Sequence, residues 1–193
     1  MSRRDDPPLL IKILIGYFLA KPEERLQSKG IFRITSKWEQ IKEIEAHLNN
    51  GDYEVIEHAK QPQDIANLLK YTLKYLRIPL FPYKQYFDMG KQRVMDEAKR
   101  VEQVKGILAE LKQTENGLQA YNTLKLIFLF FKEVDRNEPQ NKMSAKNLSV
   151  TNSPYLFQAP KGVQAPLFDG MKPYYESFVY MIEHCDEIFL SSE

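Results

Sequence analysis

Apolar residues recur at helical spacing almost from one end of this chain to the other, and no segment shows a convincing two-residue alternation. That pattern restricts the fold to packed helices. The first run, Leu9, Leu10, Ile13, Leu14, Tyr17 and Phe18, follows Asp5-Asp6-Pro7-Pro8, which offers capping and a first-turn proline, and Pro22 closes it. It is apolar over most of its circumference, which predicts a central helix. A second helix is expected from the capping-box pattern Ser36-Lys37-Trp38-Glu39 through Ile41, Ile44 and Leu48 to a stop at Asn49-Asn50-Gly51. The third spans roughly Gln63 to Leu76, with Ile65, Leu68, Leu69, Thr72, Leu73 and Leu76 on its core face and Lys70, Lys74 and Arg77 together on another.

Pro79 and Pro82 break that helix, and a short segment from Tyr83 to Met89 ends near Gly90. A long charged helix follows, carrying Val94, Ala98, Val101, Val104, Leu108 and Leu111. A buried one covers about Leu118 to Val134, its aromatic residues interleaved with aliphatics as in a core. Ser144 is placed to cap a short helix through Val150 that ends before Pro154. Tyr155 to Lys172, with two prolines and two glycines, reads as an ordered surface loop. Pro173 then opens a last helix through Phe178, Met181, Ile182, Cys185, Ile188 and Phe189. The fold class is all-α, a bundle of about eight to nine helices. At 193 residues it reads as one domain over 1–193 with a core of about 7–190.

Charge and chemistry narrow the function. The 27 basic residues against 26 acidic ones give a net charge of +1, which offers no global field toward nucleic acid or an anionic membrane. The most apolar stretches are short and carry lysine, so no membrane segment is expected. One cysteine, Cys185, rules out an intramolecular disulfide and sits in an apolar helical pattern, which predicts a buried thiol in a soluble, cytoplasmic protein. His47, His58 and His184 are scattered, and no spacing suggests a zinc site, a catalytic triad or paired carboxylates.

One loop stands out. In Ser28-Lys29-Gly30-Ile31-Phe32-Arg33-Ile34-Thr35 a glycine permits a tight turn, Ile31 and Phe32 can anchor it, and Arg33 is left to project a charge that titration never removes. Such a residue could complete another protein's active site.

Four blocks, taken in order, resemble the RhoGAP family, the GTPase-activating domains for Rho-type small GTPases. They are Gly30-Ile31-Phe32-Arg33; Leu68-Leu69-Lys70-Tyr71-Thr72-Leu73-Lys74 with Pro79-Leu80 and Pro82; Asn141-Lys142-Met143 with Asn147-Leu148 and Ser153-Pro154; and Ile182-Glu183-His184-Cys185-Asp186-Glu187-Ile188-Phe189. The resemblance implies a helical bundle that binds a GTP-loaded Rho-family GTPase and inserts Arg33 in trans as the catalytic finger. Lys70, Lys74, Asn141 and Tyr155 are then the residues expected at the partner-binding surface. It implies no stand-alone enzyme and no cofactor of the chain's own, because GTP and Mg²⁺ belong to the partner. A planar cation that stabilises the spreading phosphoryl charge is worth about 10³ to 10⁵ in rate.

This chain departs from the family pattern at two positions. Lys74 stands where an arginine usually supports the finger loop, and Tyr155 where an asparagine usually helps engage the GTPase. Ser36 and Gln119 are milder changes. The departures sustain a second reading, a catalytically weak or inactive module of the same fold that binds a GTPase or another signalling partner. A third reading is a helical adaptor unrelated to GTPases.

Overall fold

The computed structural model describes residues 4–91, 97–159, 162–164 and 168–191. Within them lie eleven α-helices: α1 (Leu9–Ala20), α2 (Pro22–Arg25), α3 (Trp38–Asn49), α4 (Pro62–Lys74), α5 (Tyr83–Lys91), α6 (Glu97–Lys112), α7 (Gly117–Arg136), α8 (Glu138–Asn141), α9 (Ala145–Leu156), α10 (Phe168–Glu183) and α11 (Cys185–Phe189). A single 3₁₀ turn occupies Glu54–Ile56, and no strand forms among the described residues. The all-α expectation holds. The count exceeds the expected eight to nine because α2 and α8 are single turns and the closing helix breaks at His184.

The aromatic density of α7 does what an apolar stripe on a long helix must. Leu124, Ile127, Phe128, Phe131 and Val134 are fully buried, and α7 packs on α6, α9, α10 and α11. Phe131 and Phe128 lie 5.3 and 5.2 Å from Phe178 of α10, ring centre to ring centre. On the other side Phe130 meets Phe18 of α1 at 5.3 Å. Helix α1 buries Ile11, Leu14, Ile15 and Phe18 but leaves Leu9 and Leu19 exposed, so it is less enclosed than its apolar circumference suggests. The centre of the bundle is α7.

Three expectations about helix ends are corrected. Helix α9 does not stop before Pro154 but runs through it to Leu156, and α10 begins at Phe168, so Pro173 lies inside it instead of opening it. The loop expected from Tyr155 to Lys172 shrinks accordingly. Val150 and Asp169, the residues four positions before the two prolines, are exposed. Helix α3 starts at Trp38 with Lys37 before it and no side-chain cap, so the Ser36 capping box is not made. The Ser144 cap does form, its hydroxyl accepting from the Asn147 backbone at 3.3 Å. Val94 lies outside the described residues.

Cys185 is fully buried, and burial pushes its thiol up to about 11. His184 turns away from it, stacking on Tyr180 at 4.2 Å and bonding Glu187 at 2.9 Å. Among the described residues no helix is long and apolar enough to cross a membrane.

Candidate functional site

The segment between α2 and α3 is short of regular structure but not of restraints. Gly30 has φ +71° and Phe32 φ +65°, both in the left-handed region. Glycine enters that region without penalty, whereas phenylalanine does so only when its surroundings demand it. The demand is visible: Phe32 is fully buried, 5.3 Å from Phe131, 5.9 Å from Phe130 and 6.1 Å from Phe18. Ile31 is buried beside it. With Ile31 and Phe32 pulled inward, Arg33 is turned out and exposed. Among the described residues no hydrogen bond or ion pair holds its guanidinium.

The backbone carrying Arg33 is tied on two sides. Within the turn, the Arg33 and Ile34 amides donate to the Gly30 carbonyl at 2.9 and 2.8 Å. From α4, three side chains at i, i+4 and i+7 reach across in succession. Gln63 donates to the Ser28 hydroxyl at 2.9 Å and the Lys29 carbonyl at 3.0 Å, and Asn67 to the Ile34 carbonyl at 2.9 Å and the Ser36 hydroxyl at 3.2 Å. Lys70 donates its ammonium to the Phe32 carbonyl at 2.9 Å. Sequence reasoning picked out Lys70 alone. The signal for the other two was a polar row, Gln63, Asn67 and Lys70, on a helix whose neighbouring residues are apolar.

Lys70 is 8% exposed, and burial lowers the pKa of its ammonium. Lys74 continues the same helix row one turn later but is exposed, with its ammonium 5.3 Å from the Tyr75 ring centre. No hydrogen bond joins Lys74 to the loop among the described residues. Loop support, expected from Lys74, comes from Lys70 because the loop ends its crossing of α4 before reaching the last turn.

Asn141, expected at the partner surface, is fully buried behind the loop. Its side-chain amide donates to the carbonyls of Leu26 and Val134 at 2.9 and 2.8 Å, and its side-chain oxygen accepts from the Met143 amide at 2.7 Å. Its own carbonyl accepts from Gly30 at 2.7 Å. Every polar group of Asn141 that these bonds use points inward, toward the loop root.

Tyr155, on α9, is half-buried with its ring centre 5.7 Å from the Lys70 ammonium. Gln158 links its carbonyl at 3.0 Å to that of Leu73 at 2.7 Å, joining the end of α9 to α4. Nearby Asn152 is fully buried and donates to Leu148 and Thr151 within its own helix. The structure therefore gathers Arg33, Lys70 and Tyr155 at one place, sets Lys74 one turn beyond, and puts Asn141 behind.

A second arginine, Arg25, was not singled out from sequence. It is 3% exposed, donates to the Tyr17 carbonyl at 2.5 Å and to Glu57 at 2.6 and 3.3 Å, and lies 3.7 Å from the Tyr17 ring centre. Its hydrogen bonds hold the Glu57 carboxyl below the usual range.

The RhoGAP domain family matches residues 8–161, most of the chain and all of the loop, α4 and α9. The chain belongs to the RhoGAP domain family. It is 29% identical over 168 residues to the Rho GTPase-activating protein gacY of Dictyostelium discoideum, covering 84% of this chain and 22% of that protein. It is 27% identical over 184 residues to mouse Rho GTPase-activating protein 24, covering 94% of this chain and 24% of that one. The chain thus spans about a quarter or less of the length of these curated relatives. Among solved structures, the BH domain of Graf, the GTPase regulator associated with focal adhesion kinase, superposes with a TM-score of 0.78 at 20% identity, covering 93% of this chain and 92% of that one. Human Rho GTPase activating protein 15 does so with a TM-score of 0.76 at 20% identity, covering 94% and 83%. These likenesses establish the RhoGAP fold.

Proposed function

We propose that this domain accelerates GTP hydrolysis by a Rho-family small GTPase in its GTP-bound state, by inserting Arg33 in trans beside the transferring phosphoryl group. The observation that carries the reading is the contrast at Arg33: a guanidinium with no internal partner among the described residues, on backbone that α4 and the Gly30 turn hold in place. A backbone fixed before the partner arrives leaves only the Arg33 side chain to be ordered on docking, where it meets charge that develops only in the transition state. The partner supplies GTP, Mg²⁺ and the attacking water. Ile34, 45% exposed, follows Arg33 with apolar surface, Trp38, 49% exposed, opens α3 against Tyr71 of α4, and Lys74 and Tyr155 lie on α4 and α9. This surface is where the GTPase docks, and the cytoplasm is the compartment where it would meet such a partner.

Single-turnover hydrolysis by a panel of Rho-family GTPases tests it. The domain is expected to accelerate at least one of them, and Arg33→Ala to remove most of the acceleration while binding to the GDP–aluminium fluoride form persists. Absence of acceleration across the panel overturns the reading.

The second reading, a binding module of low activity, draws on Tyr155 in the place of the family's asparagine and on Lys74, which makes no hydrogen bond to the loop among the described residues. Binding that prefers the GTP-loaded state without acceleration would favour it. Equal binding to all nucleotide states would favour the adaptor.

A further inference from the structure

We propose that Tyr155 is a positioning residue for Arg33 that acts through Lys70; the activity arm of its test rests on the GTPase-activating reading, the loop arm does not. The argument begins with one peptide unit. Its oxygen is the Phe32 carbonyl, which accepts from Lys70 at 2.9 Å, and its N–H is that of Arg33, which donates to Gly30 at 2.9 Å. Pinned at both ends, this plane fixes the direction in which Arg33 leaves the backbone, immediately after a phenylalanine held at φ +65°.

The Lys70 end is the pin that depends on a side chain. An ammonium 8% exposed has three donors, and no carboxylate pairs with it among the described residues. What faces it besides the Phe32 carbonyl is the Tyr155 ring, with its centre 5.7 Å away. The face of an aromatic ring is electron-rich and attracts a cation at this range, most effectively where water is excluded. Tyr155 in turn is held by α9, whose end is tied to α4 through Gln158. A chain of contacts runs from the Tyr155 ring through the Lys70 ammonium and the Phe32 carbonyl to Arg33.

In this arrangement the ring face is the working part of the tyrosine, and the hydroxyl is not. A residue that instead touched the partner through its hydroxyl would lose its effect on conversion to phenylalanine and would act on KM.

The test measures hydrogen exchange of the Arg33 and Ile34 amides in the free domain, with global stability measured in parallel, for wild type, Tyr155→Leu and Tyr155→Phe, each with Lys70 intact and as Lys70→Met. Steady-state kinetics on the same proteins give kcat and KM. Tyr155→Leu is expected to speed exchange at these amides by about three-fold or more beyond any global change and to lower kcat with KM unchanged. Tyr155→Phe is expected to rescue both. With Lys70→Met, Tyr155→Leu should add nothing, because the group through which it acts is gone.

Exchange at the wild-type rate in Tyr155→Leu, a phenylalanine variant that behaves like leucine, or an effect that persists without Lys70 would each overturn the proposal. If the wild type activates no GTPase while the exchange pattern appears, the activation reading fails and the positioning role stands. If activation is clear but Tyr155→Leu leaves exchange unchanged, the reverse holds.

Discussion

Arg25 and Arg33 sit at the two ends of one short segment and have opposite fates. Arg25 is enclosed by Tyr17 and Glu57, which take up its charge and its donors. Arg33 is exposed, and among the described residues its neighbours bind its backbone but not its guanidinium. The same side chain is thus a structural rivet in one place and an exposed cation in the other. The difference lies in what the flanking apolar residues do: Leu26, next to Arg25, is buried alongside it, whereas Ile31 and Phe32 go inward and turn Arg33 out.

The comparison breaks most sharply if Arg33 is removed. Arg33→Ala is expected to lower GTPase acceleration by about 10³-fold or more, roughly 4 kcal/mol of barrier, with an unchanged urea midpoint. Arg25→Met should do the opposite. Loss of the charged hydrogen bonds to Tyr17 and Glu57 is expected to cost about 2–3 kcal/mol in urea unfolding at unchanged m-value, with acceleration preserved per folded molecule.

Between these lies Gly30→Ala. A Cβ at Gly30 would meet Ile34 Cδ1 at 2.7 Å and would need a backbone at φ +71°. The expected loss is about 1–2 kcal/mol of stability, together with a fall in kcat greater than in KM because the turn under Arg33 is disturbed.

The smallest effect is a pH dependence at the Arg25 end. Arg25 depresses the Glu57 carboxyl, so the pair contributes stability above the ordinary glutamate pKa and loses it as pH falls through the lower folded value. Glu57 is half-exposed, so water screens the pair and the contribution is under about 1 kcal/mol. Glu57→Gln is expected to lower thermal stability near neutrality by that small contribution and to flatten the acid limb below about pH 4.5, so that the two curves converge in acid. An unaltered acid limb would show that the Arg25–Glu57 pair does not act as an ion pair.

Much of this was legible in the chain. Helical spacing located every long helix, and Gly30 followed by two apolar residues and Arg33 marked the loop, because turn chemistry and periodicity are local properties. Proline misled at 154 and 173, where the helices run on through it, because whether a helix continues past a proline is settled by its tertiary surroundings and not by local sequence. Ser36 carried a capping signature yet accepts from Asn67, a partner 31 residues away along the chain. Asn141 was found as part of a motif but given the wrong direction: sequence records that a residue is present, not which way the fold turns it.

The α4 row shows the division clearly. Its spacing alone set Gln63, Asn67, Lys70 and Lys74 in one line along the helix. Only the packed structure decided that the loop covers the first three and leaves Lys74 in water, that a ring from α9 comes to rest beside Lys70, and that of two arginines eight positions apart one is enclosed by the fold and the other left exposed. Periodicity fixes which side chains share a face, because it follows from helix geometry. What covers that face depends on contacts between segments far apart in the chain, which form only when the bundle closes.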